Sequence, residues 1–167
     1  MGFEIQLADL EREDVRALLA AHLAFAFQES PRESVHALDV TGLRAPDITL
    51  WEAREDGQVV ATGALRQLDA GHGEIKSMHT RAAARGRGYG ARMLEHLLAE
   101  ARRRGYRRVS LETGTAPAYA AARALYTRAG FEVCPPFGAY RDDGASVCMT
   151  MELASGGAAQ GAGGQLG

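Results

Sequence analysis

The six residues Arg85-Gly86-Arg87-Gly88-Tyr89-Gly90 constrain this chain more than any other stretch, because they join a strand-like segment to a helical one. Residues 74–80 read as a strand, and residues 91–104 carry Leu94, Leu97, Leu98 and Ala101 on one helical face before Gly105. Alternating glycines let a backbone turn with its amides converging, and the start of the helix adds partial positive charge. Arg85 and Arg87 strengthen the expectation of a diphosphate ligand. No Lys-Ser or Lys-Thr follows, which excludes a P-loop nucleotide hydrolase. Gly86, Gly88 and Ala91 also satisfy G-x-G-x-x-A, with Glu112 as a downstream acid, so an NAD-binding oxidoreductase domain is an alternative. Against it, residues 81–85 separate the strand from the first glycine, and no second half of alternating strands and helices follows.

Around that loop, further segments alternate between strand and helix patterns. Residues 3–7, 48–55, 58–68, 107–113, 131–134 and 145–153 read as strands, with Asp56-Gly57 as a hairpin turn and Gly71-His72-Gly73 as another turn. Asp9 is placed to cap a helix bearing Val15, Leu18, Leu19 and His22 on one stripe, His22 being read as a core histidine. Ser30-Pro31 looks like a second helix start, and residues 117–129 form a helix stopped by Gly130. Residues 1–153 are expected to be one domain, and the Gly, Ala and Gln of residues 154–167 a flexible tail.

Composition narrows the function classes. With 19 basic and 21 acidic residues the net charge is −2, too little positive charge for a nucleic-acid coat. Lys76 is the one lysine in the sequence. The longest apolar run, residues 17–27, is too short to span a bilayer and wrongly flanked for a signal peptide. The two cysteines, Cys134 and Cys148, make neither a disulfide framework nor a zinc site of usual spacing. The expectation is a cytoplasmic protein with no metal, no membrane contact and no nucleic-acid partner; a homodimer stays open.

The motifs resemble the GNAT superfamily of N-acetyltransferases. Arg85-x-x-Gly88-x-Gly90 is similar to the family's acyl-CoA pyrophosphate loop, residues 74–80 to its fourth strand, and Leu125-Tyr126 with Gly130-Phe131 to its last helix and following strand. Leu111-Glu112-Thr113-Gly114, Pro136-Phe137-Gly138-x-Tyr140 and Ser146-Val147-Cys148-Met149 resemble a bacterial subgroup of small single-domain members. The resemblance covers residues 3–153. It implies an α/β fold of the α+β type, with a mixed, strongly bent sheet of about seven strands, helices on both faces, and a gap between the fourth and fifth strands. Acetyl-CoA is the implied co-substrate. Its pantetheine would pair near Met78, His79 and Thr80, and its pyrophosphate would lie on Arg85, Gly86, Arg87, Gly88, Tyr89 and Gly90. Seven residues before Tyr126, where many relatives carry Asn, stands Tyr119, whose ring would pack on the pantetheine instead.

The implied reaction is acetyl transfer to the primary amine of a small molecule or amino-acid-like acceptor, by direct attack on the thioester. The amine must lose a proton, the oxyanion needs backbone donors near Met78, and the leaving thiolate wants a proton. Tyr126 is the candidate donor, and Glu74 and Glu112 are the candidate bases ahead of His79 and His36. Segments 25–38 and 135–143 are expected to wall the acceptor pocket, with Glu29, Glu33 and His36 on one side and Phe137 and Tyr140 on the other. A non-catalytic acyl-CoA-binding module is the second alternative.

Overall fold

In the computed structural model, which describes residues 2–154, the chain builds one mixed sheet in the order β1-β2-β3-β4-β5-β7-β6. The strands are β1 (Phe3–Leu7), β2 (Ile48–Glu55), β3 (Gln58–Asp69), β4 (His72–Thr80), β5 (Arg108–Gly114), β6 (Glu132–Cys134) and β7 (Ser146–Glu152). The helices are α1 (Glu13–Glu29), α2 (Val40–Leu43), α3 (Tyr89–Arg103) and α4 (Ala120–Ala129). The tail expected over residues 154–167 lies, Ala154 apart, outside the described residues. All neighbouring strands run antiparallel except β4 and β5, whose parallel pairing needs the crossover through α3. A doubly wound parallel sheet is therefore excluded, and with it the NAD-binding alternative.

Helices cover both faces of the sheet. Leu65 of β3 packs in a cluster with Met93 and Leu97 of α3, while its neighbour Ala64 packs with Val15 and Leu19 of α1. Successive strand residues point to opposite sides, so the two helices lie on opposite faces. A buried ion group pins α1 to the sheet: the Arg54 guanidinium, 3% exposed, donates to Asp14 at 2.8 Å and to Glu52 at 2.6 Å.

Three local readings are corrected. Asp9 does not cap α1; its carboxylate accepts from the Glu11 N–H at 2.8 Å, and α1 begins only after Arg12. The helix expected from Ser30 is a single 3-10 turn, Arg32–Ser34, after which Asp39 caps the short α2 by accepting from the Gly42 N–H at 2.8 Å. β4 starts at His72, so the turn before it is tighter than residues 71–73.

The feature that makes a site is the seam between β4 and β5. The strands pair from His72 with Arg108 to Ile75 with Leu111, and no further. Beyond Ile75, Ser77 takes a left-handed conformation (φ 54°), and the β3–β4 register shifts between Thr62 and Ala64. An irregular residue of this kind bends its strand. The bend is held by the buried Thr62 hydroxyl, which donates to the Ser77 carbonyl at 2.9 Å.

Candidate active site

Where β4 leaves β5, a cavity of about 420 Å³ opens. Its walls come from β4 beyond Glu74, the start of α3, the end of β5 and α4. Residues of α1 and of the connection after it, with Tyr140, complete the lining. The glycine loop forms one rim. Gly86 (φ 81°) and Gly88 (φ 84°) adopt the left-handed conformation that side chains disfavour, and a Cβ at either would meet open space. Backbone geometry rather than crowding therefore requires these glycines. Arg85 is anchored beside them, its Nε donating to the Thr80 carbonyl at 3.2 Å and its guanidinium lying 5.6 Å from the Phe25 ring centroid.

Most of the sequence-derived residues converge on this cavity: Met78, His79 and Thr80 from β4, Arg85, Gly86, Gly88, Tyr89 and Gly90 from the loop. Glu112, Tyr119, Tyr126, His36 and Tyr140 join them from the other walls. Five do not line it, and Glu33, on the 3-10 turn, is one of them. Arg87 faces a separate cleft with Arg81 and Tyr89. Phe137 stacks behind, 5.0 Å from the Tyr140 ring and 5.9 Å from His72. Glu29 is outside the lining, near enough to Tyr119 for its charge to be felt. Glu74, 2% exposed, lies beneath the lining, where its carboxylate accepts from the Tyr140 hydroxyl and from Lys76 Nζ at 3.4 Å.

Electrostatics separates the two carboxylates further. Burial pushes the Glu112 carboxyl up to about 7, against an opposing hydrogen bond from Ser146 and the positive charge of Lys76. A carboxyl poised there can take a proton at neutral pH. Tyr126 is 6% exposed, packs edge-on against Phe131 at 5.9 Å, and its hydroxyl makes no hydrogen bond among the described residues. Burial raises its pKa well above the ordinary phenol value. Complete proton transfer from this phenol is therefore harder than its free value suggests.

Sequence reasoning missed two residues here. His22, read as a core histidine, lines the cavity with its Nδ1 3.2 Å from Nδ1 of His79. Burial drives His22 down to about 4 and His79 to about 3, so both are neutral at pH 7 and one Nδ1–H donates to the other ring. A histidine on an apolar helical stripe carried no signal that distinguished a cavity wall from a core. Lys76 is the second: its side chain is 8% exposed, yet it lines the cavity. Its solitary occurrence beside Glu74 on an alternating strand was the available hint. No group of three or more His, Cys, Asp or Glu among the described residues is arranged to hold a metal ion.

The stretch of β4 that β5 leaves unpaired, the left-handed glycines and the anchored arginine suit an acyl-CoA: extended backbone for pantetheine, converging amides for the pyrophosphate. Comparison with known proteins agrees. The Acetyltransferase (GNAT) family model matches residues 10–131. The chain is 44% identical to the uncharacterized N-acetyltransferase YsnE of Bacillus subtilis (strain 168) over 89% of this chain and 99% of that one. It is 43% identical to the uncharacterized N-acetyltransferase YedL of Escherichia coli (strain K12), over 90% and 95%. A GNAT family acetyltransferase from Elizabethkingia anophelis, solved with acetyl-CoA bound, shares the fold with a TM-score of 0.67 at 17% identity, covering 91% of this chain and 99% of that one. On the family match and these two near-full-length relatives, the chain belongs to the GNAT family of acetyltransferases and is an N-acetyltransferase.

Proposed function

We propose that this protein moves an acetyl group from acetyl-CoA to the primary amine of a small acceptor, with Glu112 as general base and Tyr126 as hydrogen-bond donor to the departing sulfur. One observation carries this reading: where β4 and β5 separate, Glu112 and Tyr126 face the same cavity as the glycine loop. Met78, His79 and Thr80 would hold the pantetheine arm through backbone groups that β5 does not use, and Arg85 with the loop amides would hold the diphosphate. When bound, acetyl-CoA supplies the electrophilic carbonyl. Glu112 then accepts the proton of an entering ammonium, which frees the nitrogen lone pair. Tyr126 keeps its proton at neutral pH and offers the O–H to charge developing on sulfur, in a pocket dry enough to strengthen that bond. The second proton, which the nitrogen sheds as the C–S bond breaks and the amide forms, ends on the departing thiolate. Glu74 is already bound by Tyr140 and Lys76, which assigns it to orienting those two side chains rather than to taking the substrate proton.

Calorimetric titration with acetyl-CoA, followed by thiol release across a broad panel of amines, tests the reading. Saturable binding with turnover of at least one amine is expected. Failure of a folded sample to bind at millimolar acetyl-CoA overturns it, and binding without turnover across the panel leaves only a silent acyl-CoA-binding module.

A further inference from the structure

Lys76 is an unusual group to find in an acyl-transfer cavity, because a buried ammonium is costly unless all its protons are used. Its side chain is 8% exposed, with Nζ donating to the Tyr140 hydroxyl at 2.8 Å and to Glu74 Oε2 at 3.4 Å. The Tyr140 hydroxyl in turn donates to Glu74, so tyrosine and carboxylate satisfy each other. An ammonium has three N–H donors. The third has no partner among the described residues, although Lys76 lines the cavity.

We infer that the acceptor is an amine that also carries a carboxylate, and that Lys76 is the residue that recognises this carboxylate. The inference rests on the acetyl-transfer reading above and narrows its substrate class. Glu74 and Lys76 already cancel one another in charge, so the third N–H offers directed binding without an uncompensated field. Glu112 feels the Lys76 charge from across the same cavity, which places a base for the ammonium near a donor for the carboxylate. A zwitterion therefore meets opposite partners at its two ends, whereas a simple amine leaves the buried donor unpaired. The site excludes competing acceptors by that unpaired donor as much as by attraction. Tyr140, edge-on to His36 at 4.9 Å, forms the wall beside the lysine and holds its orientation.

The test is a panel of amino acids, each matched with its amide and its decarboxylated amine, read as kcat/KM by thiol release. The wild-type protein is expected to favour the carboxylate-bearing member of at least one set by tenfold or more. Lys76→Met is expected to reduce that ratio to near one while the acetyl-CoA dissociation constant, measured by calorimetry, stays within a few-fold. Because Lys76→Met strands the buried Glu74 carboxylate, the double variant Lys76→Met/Glu74→Gln supplies a charge-balanced second version of the same measurement. Equal or better turnover of the decarboxylated amines overturns the inference, as does a preference that survives in both variants. A panel silent throughout, with acetyl-CoA still bound, also overturns it. Loss of acetyl-CoA binding by the wild-type protein is a different result and defeats the acetyl-transfer reading itself.

Discussion

The two halves of the β4–β5 seam contain similar residue types with opposite fates. In the paired half, polar groups consume one another. Arg108 donates to His72 Nδ1 at 3.3 Å, which leaves the imidazole proton on Nε2, 2.7 Å from Ser110 Oγ. Thr150 donates to the Val109 carbonyl at 3.3 Å, so Ser110 donates to Thr150 at 2.9 Å and His72 must donate to Ser110. A histidine whose proton already points at the serine cannot act as its base. In the splayed half, Glu112, Lys76 and Tyr126 face a cavity with capacity left over. On the proposed reading, reactivity on this sheet follows from unspent hydrogen-bonding capacity and not from residue type.

Glu112→Gln breaks the comparison most severely. If the open half works through this carboxylate, kcat/KM should fall on the order of 10²–10⁴-fold, the usual range for a general base. In the wild-type protein kcat/KM should rise with pH and level off above about 7, the value to which burial pushes Glu112, because only the ionised form accepts a proton. A variant that keeps wild-type turnover and the same pH profile removes Glu112 from the chemistry.

Tyr126→Phe comes next and keeps ring volume while deleting the hydroxyl. Turnover should drop by about 10²-fold, with Michaelis constants moving far less, since the lost bond belongs mainly to the transition state. Unchanged turnover under conditions where chemistry limits the rate makes Tyr126 a packing residue only.

The paired half should answer in stability instead. A Cβ at Gly73 would sit 2.7 Å from two carbons of the buried Tyr106 ring, so Gly73→Ala should destabilise the fold by about 1–3 kcal/mol in denaturant titration. Acetyl-CoA affinity should hardly move; a loss of affinity at unchanged stability would reverse the division between the halves.

The smallest effect has the most informative sign. Glu112 binds its proton more tightly folded than at its ordinary value of 4.5, so its own contribution to stability should decline as pH rises from about 4.5 to about 7 and stay lowered above that, against the opposing gain from the buried histidines His22 and His79. Glu112→Gln lacks this loss. Its unfolding midpoint should match wild type at about pH 4 and exceed it at about pH 8, because the neutral amide loses nothing when the carboxyl would ionise. A variant less active and more stable separates function from folding at a single residue; equal midpoints at both pH values mean that Glu112 is better solvated than its burial implies.

Much of this organisation was legible in residue order. The period of Leu94, Leu97, Leu98 and Ala101 marks α3, and the glycines before it mark a left-handed turn, because both are local consequences of backbone geometry. Asp56-Gly57 likewise announces the β2–β3 hairpin, with both residues at positive φ. Helix starts were less legible. Asp9 and Ser30 are sound caps by type, but each spends its position on a turn or a connection that the packing of α1 selects.

What the sequence determined by itself is therefore the strand–loop–helix unit and the short-range turns, which depend on residues within a few positions of one another, and the family to which the chain belongs, which short motifs carry by their order along the chain. Only the tertiary structure decided which polar groups remain available. Ser77 adopts a left-handed backbone conformation that its residue type does not favour, and the buried Thr62 holds it there from fifteen residues away. That bend ends the β4–β5 ladder after Ile75. His22 meets His79 across 57 positions, and Lys76 meets Tyr140 across 64. Burial and pairing between such distant groups set the proton affinity of Glu112 and the spare donor of Lys76. No local pattern encodes those quantities, because desolvation depends on every atom that excludes water from the site.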